Sequence, residues 1–381
     1  MLPASAYAVD ADIRRAESLP AAAFTDVEFL TRELETIFHN AWLFAPEPNS
    51  DDDTRSLAAQ VAARGARAPF AQLGRPLFLQ RGWDDDELRA FGNTCTHAWF
   101  PLVQGPSRGP TLVCGQHGRR FDCTGRFVSQ PGFAGLPDFP RACDHLAPVA
   151  VAPWRDHLFT RFAADGAPLA ETLAAVDESL VRFPDNLARA PGAGVVREVA
   201  GNWKQHAWNY LDRFHIGFIH RAPGGLADAI DLASYQTELH GDAVLQWAWA
   251  SDPADGIDPA LLPARFADPG GRRVFALWWF VWPNLTLNFY PWGLSVNVYQ
   301  PVPGRPDVTR FIWTHHVLDP QKHAARDRRW LSSQVDAEDI DALAQVTRGL
   351  RSGLAPRGRF APADETGPHW FHRKVALAVT P

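Results

Sequence analysis

NTCTHAWFPL, residues 93–102, and PTLVCGQHGRRFDCTGRF, residues 110–127, decide the reading of this chain. The first stretch carries Cys95-x-His97 and the second Cys114-x-x-His117. Each half is rich in turn residues and reads as the tip of a β-hairpin, so that two thiols and two imidazoles converge on one point. Such a set suits a [2Fe–2S] cluster held asymmetrically, two Cys on one iron and two His on the other. Replacing thiolate by neutral His raises the reduction potential, and the centre accepts and passes single electrons. A zinc site of two Cys and two His is an alternative, although zinc more commonly pairs Cys with Cys and His with His. A Cys95–Cys114 disulfide is another alternative. Cys123 and Cys143 have no such companions and read as small buried hydrophobes.

Outward from these motifs, residues 55–155 are short apolar runs broken by Gly, Pro and Asp, as in FAQLGRPLFLQRG and PVAVAPWRDHLFTRF. This punctuation predicts a small antiparallel β domain. Upstream, residues 26–43 have helical spacing at Phe29, Leu30, Leu34, Ile37 and Phe38. Residues 164–194 read as a connection with one short helix. A helical stretch opens near Asn202 and runs to about Ile216. The β texture returns over 272–317, where LSVNVYQ alternates apolar and polar residues, as a strand with one covered face does. Helices are expected at about 332–348 and 366–378. The sum is an α+β chain with a β module placed early.

The second constellation lies in NWKQHAWNYLDRFHIGFIH, residues 202–220. Asp212 and His215 are i and i+3, on one helical face. His220 is five residues beyond His215, and on an unbroken helix it points elsewhere. Gly217 permits the helix to loosen, so that both imidazoles reach one metal. Two His and one carboxylate make the facial triad of a mononuclear Fe(II) oxygenase. In QVDAEDIDALAQVTRGL, residues 334–350, the apolar stripe is Val335, Ala342, Leu343, Val346 and Leu350. At about 100° per residue, Asp339 falls inside that stripe. Glu338 and Asp341 point away from it, and Asp336 sits at its edge. A carboxylate among apolar neighbours is costly unless paired or metal-bound, which singles out Asp339. Two satisfied core histidines and a buried salt bridge are the plainer readings. A diiron site needs Glu-x-x-His on two helices, and that pattern is missing.

Composition removes other classes. The 381 residues are 46% hydrophobic and 21% charged, with a net charge of −6. That balance supports a full core and argues against disorder. It offers no clustered basic surplus for nucleic acid. The run of Arg326, Arg328 and Arg329 contains Asp327 and reads as a solvated helix face or loop. No apolar run reaches the roughly 18 residues of a membrane span, and the N-terminus has no signal-peptide pattern, so a cytoplasmic protein is expected. The chain has 15 Trp and 24 Phe, and its aromatics crowd 275–299. There Trp278, Phe280, Trp282, Asn288, Tyr290 and Trp292 are candidates for a substrate pocket, with strand parity deciding which face inward.

Taken together, the motifs resemble the large subunit of the Rieske non-haem iron oxygenases, ring-hydroxylating type. Cys95, His97, Cys114 and His117 with Gly118, then Asn209-Tyr210-Leu211-Asp212-x-x-His215-x-x-x-x-His220, then Glu338-Asp339 with Arg348-Gly349-Leu350, follow the family's order. The resemblance implies an N-terminal helical segment over 1–45 packing on the catalytic domain. It further implies a small antiparallel Rieske [2Fe–2S] domain over 46–160. The catalytic domain over 161–381 would be an antiparallel sheet flanked by helices. It also implies that Cys95, His97, Cys114 and His117 hold the cluster, and that His215, His220 and Asp339 hold Fe(II). Asp212 corresponds to the acid that links His215 to a cluster His across a subunit boundary, and Asn209 to the Asn beside the iron. A homotrimer follows, as does the use of O2 on a small organic substrate, an aromatic compound or a methylated or quaternary amine. The sequence shows no dinucleotide or flavin motif, so NAD(P)H acts only through a ferredoxin and/or flavin reductase. The competing class is a Rieske electron carrier or binding protein without an active mononuclear site. The chain departs from the family's usual motifs at Ala98-Trp99, where Arg-Gly often follows His. It departs again at Gly115-Gln116 and Arg119, where Pro-Tyr and Trp are frequent. Trp208 stands where many relatives have Glu.

Overall fold

The computed structural model describes residues 2–45, 56–185, 187–190, 194–329, 332–354 and 356–380. They form two compact units, one of residues 40–166 and one of 2–39 with 167–380. The boundary expected at 46 lies outside the described residues.

In the first unit the strands are β1 (Leu43–Phe44), β2 (Ala66–Gln72), β3 (Arg75–Arg81), β4 (Leu88–Gly92) and β5 (Ser107–Arg108). They continue with β6 (Thr111–Val113), β7 (Arg120–Asp122), β8 (Phe127–Ser129), β9 (Pro148–Trp154) and β10 (His157–Arg161). Among the described residues they build an antiparallel sheet in the order β1-β10-β9-β4-β3-β2-β5 and a smaller one, β6-β7-β8. Side chains alternate across the larger sheet, as a pleat requires. Phe78 and Phe91 pack with Cys95, Leu112, Cys114 and Phe121 on one face, while Leu79 and Ala90 pack with Ala68 and Leu158 on the other. The Cys114–His117 half is the tip of the β6–β7 hairpin, as the sequence suggests. The Cys95–His97 half is not a hairpin tip: it opens the loop that leads from β4 to β5, and β5 pairs with β2. Cys123 is buried, but Cys143 is exposed, against expectation, within a short 3-10 turn at Ala142–Asp144.

The second unit carries helices α1 (Val27–Thr36), α2 (Leu169–Ser179), α3 (Trp203–Leu211), α4 (Ile216–Ile219), α5 (Pro320–Arg329), α6 (Ser332–Arg351) and α7 (Thr366–Val379). Asp26 caps α1 by accepting from the backbone N–H of Glu28 and Phe29. The basic run falls in α5, and its side chains lie outside the described residues. The strands are β11 (Ala188–Arg189), β12 (Val195–Ala200), β13 (Gln236–His240), β14 (Ala243–Trp249), β15 (Val274–Val281), β16 (Leu285–Tyr290), β17 (Gly293–Val302) and β18 (Arg305–Val317). They pair antiparallel in the order β11-β18-β17-β16-β15-β14-β13, and β12 also pairs with β18. In β17 both faces are buried, not one. Its apolar residues Leu294, Val296 and Val298 face the core, and its polar face is covered by the functional cavity described below. No helix among the described residues is long and apolar enough to cross a membrane.

A buried histidine holds the N-terminal segment to α7. His372 Nδ1 accepts the Leu19 N–H at 3.0 Å, and Phe24, Trp208 and Phe360 surround the ring. Burial, followed by the charges of Lys204, His369 and Arg357, pulls its pKa down to about 3. An unfolded histidine titrates near about 6.5. Between these values the unfolded chain holds the extra proton, so stability is intact above about pH 6.5 and is lost as pH falls toward 3. His372→Asn keeps the acceptor and removes the titration. In urea unfolding between about pH 6.5 and 4, the wild type should lose stability more steeply than this variant, by up to about 1.4 kcal/mol per pH unit. Equal slopes would remove His372 as the source.

Candidate metal centres

Helix α3 stops where Asp212 leaves helical geometry at φ −88° and ψ 107° and accepts the Phe214 N–H at 2.6 Å. The chain turns and resumes as α4, with His215 at its start and His220 at its end. The break therefore falls at Asp212–His215 and not at Gly217, which lies inside α4. It brings the two imidazoles together at a distance of 3.2 Å between their Nε2 atoms. From α6, Asp339 Oδ1 approaches His220 Nε2 at 3.1 Å and His215 Nε2 at 3.7 Å. Each of the three offers one ligand atom, and these atoms lie within 4.8 Å of one another.

The arrangement fits a metal ion. Asp339 Oδ1 is buried and makes no aligned hydrogen bond, although two ring nitrogens lie close to it. Two imidazoles and a carboxylate oxygen that face one point are the donor set of a facial triad. The surrounding charge agrees. Burial alone lowers the pKa of His220, yet the carboxylates of Asp339 and Glu338 outweigh it and hold the ring above the usual value. Burial and the Asp339 charge push Asp336 up to about 7. The site is rich in negative charge and short of a cation.

Glu338 corrects the helical-wheel expectation. Its Oε2 lies 2.8 Å from His220 Nδ1, on the ring edge opposite Asp339. The wheel follows the Cα–Cβ direction, and a long Glu side chain folds back from it. On the other imidazole, Asp212 Oδ2 is 3.4 Å from His215 Nδ1. Asn209 lines the same recess as Asp339 and Tyr299. His206, which the sequence did not single out, lies there too. Its Nε2 is 3.1 Å from the Ala200 carbonyl, and burial drops its pKa to about 4. It is a neutral wall residue.

The metal recess, about 120 Å³, adjoins a cavity of about 240 Å³; both are lined by Leu226, Asn288, Tyr290, Asn297, Val335 and Asp336. Of the pocket candidates, Trp278, Asn288, Tyr290 and Trp292 line these spaces. Phe280 and Trp282 do not, and they pack against Phe371. Parity did not separate them, because Trp278 pairs with Asn288 and Phe280 with Thr286 along one hairpin. Position along the strand did: α7 covers the far end.

In the other unit the four Cys and His side chains gather as two like pairs. Cys95 and Cys114 are buried together and engage each other through their thiols. The His97 and His117 rings stand 4.7 Å apart, edge to face. Among the described residues, only His215, His220 and Asp339 place three ligand atoms within 4.8 Å of one another. The four do not converge on a single point as a tetrahedral zinc site requires. Sulfur beside sulfur and nitrogen beside nitrogen is the division that a two-iron cluster with two Cys on one iron and two His on the other uses. Burial, then the charges of His117 and Arg119, lower the pKa of His97 and favour the neutral ring that ligates. Gly118, at φ +72°, turns the chain behind His117, and its N–H donates to the Cys114 carbonyl at 3.0 Å. A side chain there is strained.

Residues 185–380 match the family described as ring hydroxylating alpha subunit (catalytic domain), and residues 56–140 match the Rieske [2Fe-2S] domain. The chain is 26% identical over 378 residues to the chloroplastic choline monooxygenase of Arabidopsis thaliana, covering 94% of this chain and 82% of that one. It is 23% identical over 365 residues to the carnitine monooxygenase oxygenase subunit of Escherichia coli (strain K12), covering 94% and 90%. The crystal structure of a quaternary ammonium Rieske monooxygenase in complex with an inhibitor shares the fold. The TM-score is 0.76 at 20% identity, over 99% of this chain and 98% of that one.

Proposed function

The chain belongs to the ring hydroxylating alpha subunit family, and on that premise we propose that it hydroxylates or oxidatively demethylates a small methylated amine. It is a Rieske-type oxidoreductase with a [2Fe–2S] cluster and a mononuclear iron as cofactors. The observation that carries the proposal is the His215, His220 and Asp339 triad opening onto an aromatic cavity. The activities named for the choline and carnitine monooxygenases support the substrate class. The match over 185–380 favours an oxygenase over an electron carrier without a second metal site.

In this reading Cys95, Cys114, His97 and His117 hold the cluster, and His215, His220 and Asp339 hold the iron. Iron bound there supplies activation of O2 at its open positions. The side chains do the positioning. Glu338 fixes the His220 ring through Nδ1 and raises its basicity. Asp212, 3.4 Å behind His215, would orient that ring and link it to a cluster's electron path, and Asn209 lines the recess without ligating. The walls formed by Tyr290, Trp292 and Trp313 keep water from the substrate. One O2, two electrons and two protons give one hydroxylated methyl group and one water. The electrons come from NAD(P)H through a ferredoxin and/or flavin reductase. The working assembly is a homotrimer in the cytoplasm.

The test is iron quantification, then turnover with a surrogate reductase on choline, carnitine and benzoate, read by product mass. About three irons per chain and an oxidised amine are expected. Two irons per chain, or products from benzoate alone, would overturn the proposal. Asp212→Asn should retain both metals and slow turnover. Unchanged coupled turnover would remove its role.

A further inference from the structure

We propose that Asp336 is the residue that selects a cationic substrate, placing a carboxylate on the wall between the aromatic cavity and the metal recess. The proposal rests on the oxygenase reading for the identity of the site. Asp336 and Asp339 are i and i+3 on α6, one turn apart on the same face. Asp336 lines the outer cavity, the metal recess and the smaller recess behind Asp339, and no other residue lines all three. Among the described residues no hydrogen bond or salt bridge engages its carboxylate, and Arg197 is a cation whose field reaches it. A half-buried acid in an aromatic hollow is costly until a positive group meets it.

The walls around it suit such a group. Phe275, Tyr290, Trp292 and Trp313 line the cavity, and the Tyr290 and Trp292 rings stack at 5.3 Å with a 12° interplanar angle. Aromatic faces attract alkylated ammonium ions, most strongly where water is excluded. The remaining charged or titratable groups of the outer cavity are Asp255, His315 and Lys322. Lys322 is exposed and Asp255 is of opposite charge, so the pair adds no net positive field. A substrate cation seated against these rings meets the Asp336 carboxylate at the inner wall, an attraction that grows where water is excluded. A neutral aromatic ring gains nothing from it.

The test is calorimetric binding to the iron-loaded protein, using choline, tetramethylammonium and 3,3-dimethylbutan-1-ol, the uncharged isostere of choline. The wild type should bind both cations at least about tenfold more tightly than the isostere. Asp336→Asn should weaken the cations by at least about tenfold and leave the isostere within about twofold, at unchanged iron content. Asp336→Glu should restore most of the cation affinity, which a purely structural role does not explain. Equal binding of choline and the isostere by the wild type, no binding of either cation, or undiminished cation binding by Asp336→Asn would each overturn the proposal. Should Asp336→Asn fail to fold, the wild-type preference together with retained preference in Asp336→Glu decides in favour, and its absence decides against. Binding needs no turnover, so a failed oxygenase assay beside selective binding strikes the reaction and not the selectivity.

Discussion

Asp339→Ala should bring substrate oxidation to background and lower the iron content from about three per chain to about two, with the visible spectrum of the cluster unchanged. The carboxylate supplies the only anionic ligand atom of the triad, and its Oδ1 lies 3.1 and 3.7 Å from the two Nε2 atoms. Without it, two neutral imidazoles face each other at 3.2 Å and hold a divalent ion poorly. The Cys and His pairs belong to the other compact unit, so an unchanged spectrum shows that unit intact. Asp341→Ala is the matched control, since Asp341 is exposed on the same helix. It should keep full iron and turnover. Retained oxidation in Asp339→Ala, or equal iron loss in Asp341→Ala, would strike Asp339 from the site.

How much of this site could be read from sequence differs by residue, and the reasons are physical. Asp339 was legible because a helical period of 3.6 residues exposes an acid inside an apolar stripe. His215 and His220 were legible as a pair, but the device that joins them was not. The sequence points to Gly217 as the break, whereas the backbone leaves the helix at Asp212, whose side chain caps the next turn. A glycine marks freedom, and a capping acid marks where that freedom is used. Glu338 is misplaced by the wheel because the wheel has no side-chain length. Asp336 falls only at the edge of the stripe, since the cavity it faces is made largely by strands distant in sequence. In the β unit the strand texture was plain, yet the Cys95–His97 loop passes for a hairpin until the pairing of β5 with β2 is known.

Arg119 stands where relatives often carry Trp, and its burial makes the second large prediction. Only 2% of it is exposed. Its Nε donates to Gln130 Oε1, and its NH1 donates to Thr96 Oγ1 at 2.7 Å and Asp144 Oδ1 at 3.2 Å. Gln130 Nε2 in turn lies 3.0 Å from His97 Nδ1. The guanidinium also lies over the rings of Phe127, Phe133 and Phe139. One side chain from the hairpin loop thus ties down Thr96, between Cys95 and His97, and steadies the residue behind His97. Removing one partner of a buried ion pair costs about 3–5 kcal/mol, because the other charge stays buried and unmatched. Arg119→Leu should therefore destabilise the β unit by about that much and speed loss of iron to a chelator, followed by bleaching of the cluster. Arg119→Lys keeps the charge but not the planar fork, and should fall between. Arg119→Leu combined with Asp144→Leu removes both charges and should recover part of the loss. If Arg119→Leu alone unfolds and bleaches like the wild type, the tie between the two cluster loops runs through other residues.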